Sequence, residues 1–393
     1  MKIAFVYDAL YPYLNGGAEK RYHELATRLR ARHEIHYLSW RFWDGEPDPA
    51  LDGITLHGVG EPGRFYGEDG KRTVTEAAAF AARLVPTLLR ERFDVIDCSA
   101  TPYLPLSAAW LASRLTRTPL IATWHEFWGE YWESYLAHRP VVARLARRIE
   151  AGCAAMGDAR VAVSPFTARR LRQAGGRASV RVVGNGVSLA RIESTPPSED
   201  RCDVIFVGRL IEDKQVDLLV RAVAQLGDVA PSLSCRIVGD GPQRSSLEAL
   251  ARSLGVADRV QFSGSVTGDE VIGLMKSAKV LAFPSRREGF GITVIEGQAC
   301  GLVPVVVESE HSAAATLVHD GVDGLVCAES VESLAEAVGN VLADQDRRSA
   351  MQTRAREAAA AWDWDTIALQ MEAVYQQTAA ARALGLTRSE AGT

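Results

Sequence analysis

Hydrophobic and polar positions follow a repeating order through the first half of the chain. Short apolar runs end in turn-rich loops, and each loop leads into a longer segment whose apolar residues return at helical spacing. The strand-type runs are Lys2–Tyr7, Ile35–Leu38, Asp94–Asp97, Leu120–Thr123, Arg160–Val163 and Val180–Val183. The helical segments lie near Ala18–Leu29, Glu76–Arg90 and Leu104–Leu115, with a further one beginning at Ser164-Pro165. This alternation predicts a parallel, doubly wound α/β sheet.

The second half repeats the same order after a break. Residues 188–201 contain Ser-Thr-Pro-Pro-Ser and show no periodicity, which is typical of a linker. Strand-type runs then return at Val204–Val207, Arg236–Val238, Val260–Phe262, Val280–Phe283, Val305–Val307 and Leu325–Val326. We therefore expect α/β architecture with two Rossmann-like domains, over residues 1–187 and 202–365, that face each other across a cleft.

Composition and charge exclude several other classes of protein. The formal net charge of −5 provides no general basic face, so the sequence predicts no nucleic-acid partner. The six cysteines form no C-x-x-C pair, which predicts reduced, packed thiols, and no zinc pattern is present. The apolar start is too short for a signal peptide, and no long apolar run follows it. These features predict a soluble, cytoplasmic protein.

Two carboxylates, Glu288 and Glu296, flank a glycine turn in the second half. Glu288 follows the apolar run Val280–Pro284, and Glu296 lies in the first turns of the helix predicted after Gly291. Glu288 is therefore expected at the carboxyl end of a parallel strand, where open α/β sheets bind ligands. The backbone N–H groups from Gly291 to Thr293 would open the helix and could hold a phosphate.

Other polar features of the second half share the same expected position at strand ends. Arg209 and Lys214 supply positive charge for phosphate oxygens, and the turn Gly239–Gly241 allows a close backbone approach. Cations for a diphosphate and carboxylates for sugar hydroxyls together predict a nucleotide-sugar site. A glycosidase also uses two carboxylates, but its mechanism does not require Arg209 and Lys214.

A second set of candidates follows strands of the first half. Gly16-Gly17 precedes a helix and makes a phosphate-tolerant corner, or else a turn needed only for geometry. It is not a G-x-G-x-x-G fingerprint, so a nicotinamide cofactor gains no support. His125 stands at the carboxyl end of a strand, which suits a site residue, although a structural histidine fits as well. The aromatic stretch Trp124–Trp132 suits both stacking on a sugar ring and packing of a local core.

Two further segments of the first half allow alternative interpretations. The segment 40–70 is rich in Gly, Pro and charge, and reads either as a mobile flap or as an insertion. The helix predicted over 139–152 sets Arg139, Arg144, Arg147 and Arg148 among apolar residues. Such a helix either lies on an anionic membrane or presents a solvated face.

The chain resembles the GT-B glycosyltransferases, specifically glycosyltransferase family 4, whose retaining members carry an E-x7-E motif. The matching motifs are Gly16-Gly17, His125, Asn185-Gly186-Val187, Gly208-Arg209-Leu210 with Lys214, Gly239-Asp240-Gly241-Pro242, and Glu288-Gly289-Phe290-Gly291 through Glu296. The resemblance covers nearly the whole chain. It departs at residues 308–316, where the family often has a G-G-x-x-E-like sequence, so the ligand contacts of that loop stay open.

The resemblance implies a nucleoside-diphosphate-sugar donor held mainly by the C-terminal domain. Arg209 and Lys214 would neutralise the diphosphate, Glu296 would bind the ribose, and Glu288 would hold the transferred sugar. His125 would contact that sugar near the reacting carbon, so it joins Glu288, Arg209 and Lys214 as a catalytic candidate. The remaining implied donor contacts are Gly16, Gly17, Gly239, Val266, Gly289, Phe290, Gly291, Ile292 and Thr293.

The family also implies a reaction. We expect a retaining hexosyltransferase that needs no metal or other cofactor, uses a UDP-sugar or alternatively a GDP-sugar, and attacks from the front face. The acceptor is expected to be a hydroxyl of a small molecule, glycan or lipid-linked compound, with contacts at Asn15, Trp124, Glu126 and Trp128. A last helix over 366–393 would cross back to the N-terminal domain and end in a frayed tail. The alternatives are a GT-B isomerase or phosphorylase, and a non-catalytic sugar-nucleotide-binding assembly protein, with peripheral membrane contact possible in each.

Overall fold

The chain divides into two α/β units in the computed structural model, which describes residues 1–14, 16–45, 50–63, 65, 73–175, 180–227, 230 and 232–384. The first unit takes in Met1–Asn185 and the segment from Trp364 onward, and the second takes in Gly186–Asp363. Each unit is built around its own largely parallel sheet. The predicted α/β fold with two doubly wound units is therefore confirmed.

The sheet of the first unit has the strand order β3-β4-β2-β1-β5-β6-β7-β8 within the described residues. Neighbouring strands pair in parallel, except that β3 and β4 are antiparallel. The strands are β1 (Lys2–Val6), β2 (Glu34–Ser39), β3 (Ala50–Leu51), β4 (Ile54–Gly58), β5 (Val95–Ser99), β6 (Leu120–Trp124), β7 (Ala159–Ala162) and β8 (Val180–Val182). The central strands β1, β5 and β6 are buried almost throughout, as expected where helices cover both faces of a parallel sheet.

The helices of the first unit place their apolar stripes against this sheet. They are α1 (Gly17–Leu29), α2 (Val74–Arg90), α3 (Tyr103–Thr116), α4 (Tyr131–Tyr135), α5 (Pro140–Cys153) and α6 (Pro165–Gly175). In α1 the buried residues include Tyr22, Leu25, Ala26 and Leu29, which is the face that the helical spacing predicted. Burial of these stripes supplies the hydrophobic driving force of the unit.

The sheet of the second unit has the order β11-β10-β9-β12-β14-β16 within the described residues, with parallel pairing throughout. Its strands are β9 (Val204–Val207), β10 (Cys235–Val238), β11 (Val260–Gly264), β12 (Val280–Phe283), β14 (Val303–Val307) and β16 (Leu325–Cys327), and a separate small ladder pairs β13 (Arg287–Glu288) with β15 (His311–Ser312). Its helices are α7 (Leu189–Ser194), α8 (Val216–Leu226), α9 (Arg244–Ser253), α10 (Gly268–Lys276), α11 (Ile292–Cys300), α12 (Val331–Ala343) and α13 (Gln345–Ala359). The order reverses at β9, so the topological switch lies between β9 and β12.

The last helix, α14 (Trp364–Ala383), belongs to the first unit. Its Tyr375 hydroxyl donates a hydrogen bond of 2.7 Å to Asp97 in β5, and Tyr22 and Thr123 donate to the same carboxylate. Burial raises the pKa of Asp97, while these hydrogen bonds act in the opposite direction. Near the surface, Glu372 of α14 accepts two hydrogen bonds from Arg32. The terminal helix is therefore fixed to the first sheet through polar contacts that the apolar pattern does not reveal.

Two segments differ from the sequence-based expectation. Ile54–Gly58, inside the segment interpreted as a flap or insertion, forms β4 and pairs in parallel with β2. Leu189–Ser194, inside the predicted linker, forms α7, whose first turn is capped by the Ser188 side chain accepting from the Arg191 N–H. Residues 46–49, 64, 66–70 and 385–393, with the parts of the flap and tail predictions that fall on them, lie outside the described residues.

Two other expectations concern single residues and the membrane. All six cysteines are free and buried, which confirms the prediction of packed thiols. Across the described part of the chain, we find no helix with the length and apolar character that a membrane crossing requires.

Candidate functional site

The carboxyl edge of the second sheet brings the main candidate residues together. The loop after β9 carries Arg209 and the 3₁₀ turn Glu212–Lys214, and the loop after β12 leads to Glu288 in β13. Because β9 and β12 are hydrogen-bonded neighbours on either side of the switch, both loops leave the same edge of the sheet. This is the position at which open α/β sheets bind ligands.

Lys214 and Glu288 form an ion pair at this edge. The Lys214 ammonium donates to a carboxylate oxygen of Glu288, and both side chains are mostly buried. The same ammonium nitrogen lies 5.5 Å from the centre of the Phe283 ring, which adds a cation–π contact. An ammonium has three donors, so Lys214 can hold Glu288 and still donate to a further oxygen. The residue predicted to bind a phosphate and the residue predicted to hold a sugar are therefore direct neighbours.

A second ion pair supports the first. Asp213, next to Lys214, accepts hydrogen bonds of 2.9 and 2.8 Å from the guanidinium of Arg287, next to Glu288. The Asp213 carbonyl also accepts from the Arg286 N–H at 2.9 Å. The sequence analysis missed this pairing, although the opposite charge order of Asp213-Lys214 and Arg287-Glu288 was a signal for it. The two pairs fix the 3₁₀ turn against β13, and so they set the position of Lys214.

Arg209 differs from Lys214 in the exposure and pairing of its side chain. Its side chain is exposed, and within the described part of the chain no hydrogen bond or ion pair occupies its guanidinium. A guanidinium in this state can bind a phosphate in the bidentate geometry that it favours, without first losing a protein contact.

The positions of Gly239 and Gly241 after β10 require glycine because neighbouring backbone leaves no space for a side chain. Gly239 has φ of +133°, and a Cβ there would lie 1.9 Å from the Gly208 carbonyl oxygen. A Cβ at Gly241 would lie 2.4 Å from the carbonyl oxygen of Leu210. Backbone hydrogen bonds join the same loops, including Leu210 N–H to Asp240 O at 2.9 Å. The close approach seen here is between two protein loops, and a donor contact at Gly239 stays a prediction.

The glycine turn after Glu288 leads into α11 as predicted from the sequence. Gly291 precedes the helix with φ of +107°, a conformation that favours glycine, and Ile292 and Thr293 form its first turn. The Phe290 side chain is buried and packs edge-to-face on Trp362, with ring centres 5.3 Å apart. Phe290, like Gly289, can therefore offer only its backbone to a ligand, because its ring belongs to the core.

Glu296 and Val266, the predicted contacts of the ribose and the base, lie outside the two ion pairs. Glu296 lies in the second turn of α11 and is half-buried. Val266 follows β11 and is also half-buried. Both side chains retain some exposure, so both stay available as contacts of the ribose and the base.

In the first unit, the glycine pair lies at the amino terminus of α1. Gly16 is the N-cap residue and Gly17 the first helical residue, so the predicted corner between β1 and α1 is present. A Cβ at Gly16 would overlap the carboxylate of Glu19, in the first turn of the helix. Asn15, predicted to contact the acceptor, lies outside the described residues.

His125 directly follows β6 and is half-buried. Its Nε2 atom is fully buried, with no hydrogen-bond partner in the described residues, and its ring lies among the rings of Tyr7 and Tyr22. Burial and, to a smaller extent, the positive charge of buried Arg21 together lower the pKa of His125 to about 3. The imidazole is therefore neutral near neutral pH, and its buried nitrogen is free to donate or accept one hydrogen bond.

The aromatic stretch after His125 separates into core and surface. Trp124 is fully buried among Tyr103 and Phe127, so its prediction as an acceptor contact is wrong: a side chain inside the core cannot reach a ligand. Trp128 is half-buried and packs on Trp132, with ring centres 4.5 Å apart. Glu126 is also half-buried. Trp128 and Glu126 stay candidates for the acceptor.

Glu150 organises this stretch from the inner side of α5. The side chain is fully buried, and its carboxylate accepts hydrogen bonds from the Tyr103 hydroxyl, the backbone N–H groups of Trp128 and Gly129, and the Trp132 indole. Burial raises the pKa of Glu150, while these hydrogen bonds favour its charged form. The sequence analysis missed Glu150 because it appeared there as one charge in a basic helix.

The described residues contain no group of three or more His, Cys, Asp or Glu side chains placed to hold a metal ion. The candidate site is thus defined by cations, carboxylates and glycine backbone.

Two parallel-sheet α/β units with this topology define the GT-B class of glycosyltransferase folds. The structure of HepE from Anabaena in complex with UDP and glucose shares the fold, with a TM-score of 0.75 and 23% identity over 96% of this chain and 99% of that one. At this level of identity the likeness establishes the fold alone.

The chain belongs to the glycosyltransferase family that the sequence resembles. The model described as "Glycosyltransferase Family 4" matches residues 15–191, and that described as "Glycosyl transferases group 1" matches 189–358. A D-inositol 3-phosphate glycosyltransferase of Nocardia farcinica is 31% identical over 80% of this chain and 74% of its own length. The predicted family is therefore confirmed.

A relative of a second kind matches more strongly over a shorter stretch. It is the GDP-mannose-dependent α-(1-6)-phosphatidylinositol monomannoside mannosyltransferase of Mycobacterium tuberculosis, 34% identical over 59% of this chain. The match covers 64% of that relative's length, which is less than two thirds.

Proposed function

We propose that this protein transfers a sugar from a nucleoside-diphosphate sugar to a hydroxyl group of an acceptor. The observation that carries the proposal is the group of Arg209, Lys214 and Glu288 at the switch point of the second sheet. Family membership supports the same reaction class. The charges in this group match a diphosphate and the hydroxyls of a sugar.

In the proposed reaction, the acceptor oxygen forms a bond to the anomeric carbon of the sugar as the bond between the sugar and the diphosphate breaks. Negative charge develops on the leaving diphosphate, and one of its phosphate oxygens takes the proton of the acceptor hydroxyl. Arg209 and Lys214 would stabilise that charge, and interactions that strengthen in the transition state accelerate the reaction. Glu288, held by Lys214, would accept hydrogen bonds from the sugar, and Glu296 from the ribose. We further propose retention of anomeric configuration by front-face attack, without a metal, with the two cations serving the diphosphate.

The donor and the acceptor are the finer parts of the proposal. We propose a UDP-sugar or a GDP-sugar as donor; the name of the mycobacterial relative supports GDP-mannose for that protein. The two relatives are named for inositol 3-phosphate and for a phosphatidylinositol mannoside. We therefore propose a polyol phosphate as the acceptor class, free or lipid-linked. His125, Glu126 and Trp128 keep their predicted roles beside the reacting groups.

The proposed setting is the cytoplasm, with peripheral contact at the inner face of a membrane. A lipid acceptor supports it, because such a substrate is presented at a bilayer surface. The relative named for a phosphatidylinositol mannoside is the supporting observation.

A donor panel tests the proposal. The protein is incubated with UDP-, GDP- and ADP-sugars, with and without D-inositol 3-phosphate or phosphatidylinositol vesicles. A chelator is present to remove metal ions, and the products are identified by mass spectrometry. We expect one nucleoside diphosphate to be released and one glycosylated acceptor to form. An epimerised donor would instead show an isomerase, and phosphate-dependent cleavage a phosphorylase. Binding of a donor without any turnover would show a non-catalytic protein.

A further inference from the structure

The outer face of α5 carries an apolar row that nothing in the described structure covers. Val141, Leu145 and Ile149 are spaced four residues apart, so they lie along one line on the helix surface. Val141 is 75% exposed and Leu145 is 57% exposed, and Val142 beside them is also exposed. Single exposed apolar residues are common on protein surfaces, but a continuous row on one helix marks an interaction surface.

Positive charge lies directly beside this row. Arg144 and Arg148 are also spaced four residues apart and are exposed, and within the described residues neither guanidinium has a hydrogen bond or ion pair. Arg147 is different, because it pairs with Glu130 and Glu133 at 3.2 and 2.8 Å. The residues from 140 to 149 include no acidic side chain. Glu133 lies in the same surface concavity as Arg144, Arg147 and Arg148, and it is paired with Arg147. The exposed face therefore combines apolar groups with an excess of cationic groups.

The inner face of the same helix holds the candidate acceptor segment. Glu150 is fully buried there and binds the backbone of Trp128 and Gly129, a few positions after His125. A surface that docks through the outer face of α5 would thus lie next to the segment predicted to meet the acceptor. The α5 helix and the segment after His125 both belong to the first unit.

We propose that the α5 face, formed by Val141, Val142, Arg144, Leu145, Arg148 and Ile149, docks on an anionic membrane surface. The apolar row enters the boundary between headgroups and acyl chains, and Arg144 and Arg148 bind lipid phosphates. Charge complementarity selects this occupant, because unpaired guanidinium groups beside apolar side chains match anionic headgroups above an apolar layer. This inference rests on the membrane setting proposed above. It adds that the α5 face is the surface that contacts the membrane and that the contacted lipids are anionic.

Vesicle sedimentation of the full chain tests this inference without any turnover. The vesicles contain phosphatidylcholine alone or phosphatidylcholine with phosphatidylglycerol, at low and high salt. The test variants are the double changes Arg144→Gln with Arg148→Gln and Leu145→Gln with Ile149→Gln. The matched controls are Arg221→Gln with Arg252→Gln, two exposed arginines of the second unit, and Leu369→Gln, an exposed leucine of α14. Thermal unfolding confirms that each variant is folded.

We expect the wild type and the controls to bind the anionic vesicles and to be released by salt. Each α5 double variant should bind at least about tenfold more weakly than the wild type. The arginine variant loses two charges that attract anionic lipid, and the other variant loses two apolar side chains that enter the membrane boundary. Equal binding by the α5 variants and the wild type would overturn the inference. So would absence of binding to anionic vesicles, which would leave this face for a protein partner. Because the donor panel measures turnover, its failure is separate from a failure of docking.

Discussion

The carboxyl edges of the two sheets carry different kinds of side chain. In the second unit the edge is charged, with Lys214 paired to Glu288, Asp213 paired to Arg287, and Arg209 free of side-chain partners among the described residues. In the first unit the edge carries the rings of Tyr7 and Tyr22 around a neutral His125. A diphosphate needs cations, whereas the hydroxyl groups of an acceptor can hydrogen-bond to a neutral imidazole and pack against aromatic rings. This difference supports our proposal that the second unit binds the donor and the first unit the acceptor.

The largest expected effect comes from removing Glu288. Glu288→Ala should lower the rate of transfer by about 100-fold or more, since loss of a positioning contact at the reacting sugar has effects of this size. Glu288→Gln, which keeps a hydrogen-bonding oxygen, should lose less. Steady-state rates with the donor found in the panel provide the measurement.

The control for this change is Glu332→Ala, an exposed glutamate of α12. It should keep the wild-type rate. Equal rates for Glu288→Ala and Glu332→Ala would show that the charged edge is not where the sugar is held, and the contrast between the two units would lose its functional meaning.

A smaller effect, on stability, is expected from Glu150. Glu150→Ala leaves several buried donors around Trp128 without their acceptor, so it should lower the free energy of unfolding by about 2–4 kcal/mol. Glu150→Gln should recover part of the loss. Denaturant unfolding followed by tryptophan fluorescence checks this. Glu133→Ala, which removes a mostly exposed ion pair with Arg147, should cost only about 0–1 kcal/mol.

If Glu150→Ala and Glu133→Ala unfold alike, the buried carboxylate does not organise the aromatic segment. The aromatic segment of the first unit would then be held by ring packing alone.

The effect that is smallest at neutral pH is a pH dependence of stability from His125. The pKa of His125 is about 3 in the folded protein and about 6.5 in the unfolded chain. Between these two pH values the unfolded chain binds a proton at His125 that the folded protein does not bind. The contribution of this residue to stability is therefore complete above about pH 6.5 and falls with decreasing pH, by at most about 1.4 kcal/mol per pH unit. His125→Gln should reduce that slope between about pH 6.5 and 4. An unchanged slope would mean that His125 is protonated in the folded state in this pH range, and the imidazole at the edge of the first sheet would not be neutral.

Most strands of both sheets could be predicted because each is a short apolar run, and the central strands are buried on both faces. β4 was missed because Ile54–Gly58 is brief and lies in a segment rich in glycine and charge. The positions of Arg209 and Glu288 at strand ends also followed from the pattern, since the end of a run sets the start of a loop.

Contacts between distant residues could not be predicted in the same way. Lys214 and Glu288 stand 74 positions apart, and only the folded β9 and β12 bring their loops to one edge. Nor could the pattern distinguish buried Trp124 from half-buried Trp128, because both stand in a dense aromatic stretch. Which side of a strand or loop a ring occupies depends on tertiary packing.

The most direct test of the account is calorimetric titration of the full chain with UDP and with GDP. The wild type is compared with the double variant Arg209→Gln with Lys214→Ala, and with the control Arg252→Gln with Lys279→Ala, which removes two surface charges of the same unit. The account predicts that the wild type and the control bind one of the two nucleotides with similar Kd. The double variant should bind it about 100-fold more weakly, since two charge-assisted contacts are lost. Equal affinity in all three proteins would contradict the assignment of the diphosphate to Arg209 and Lys214.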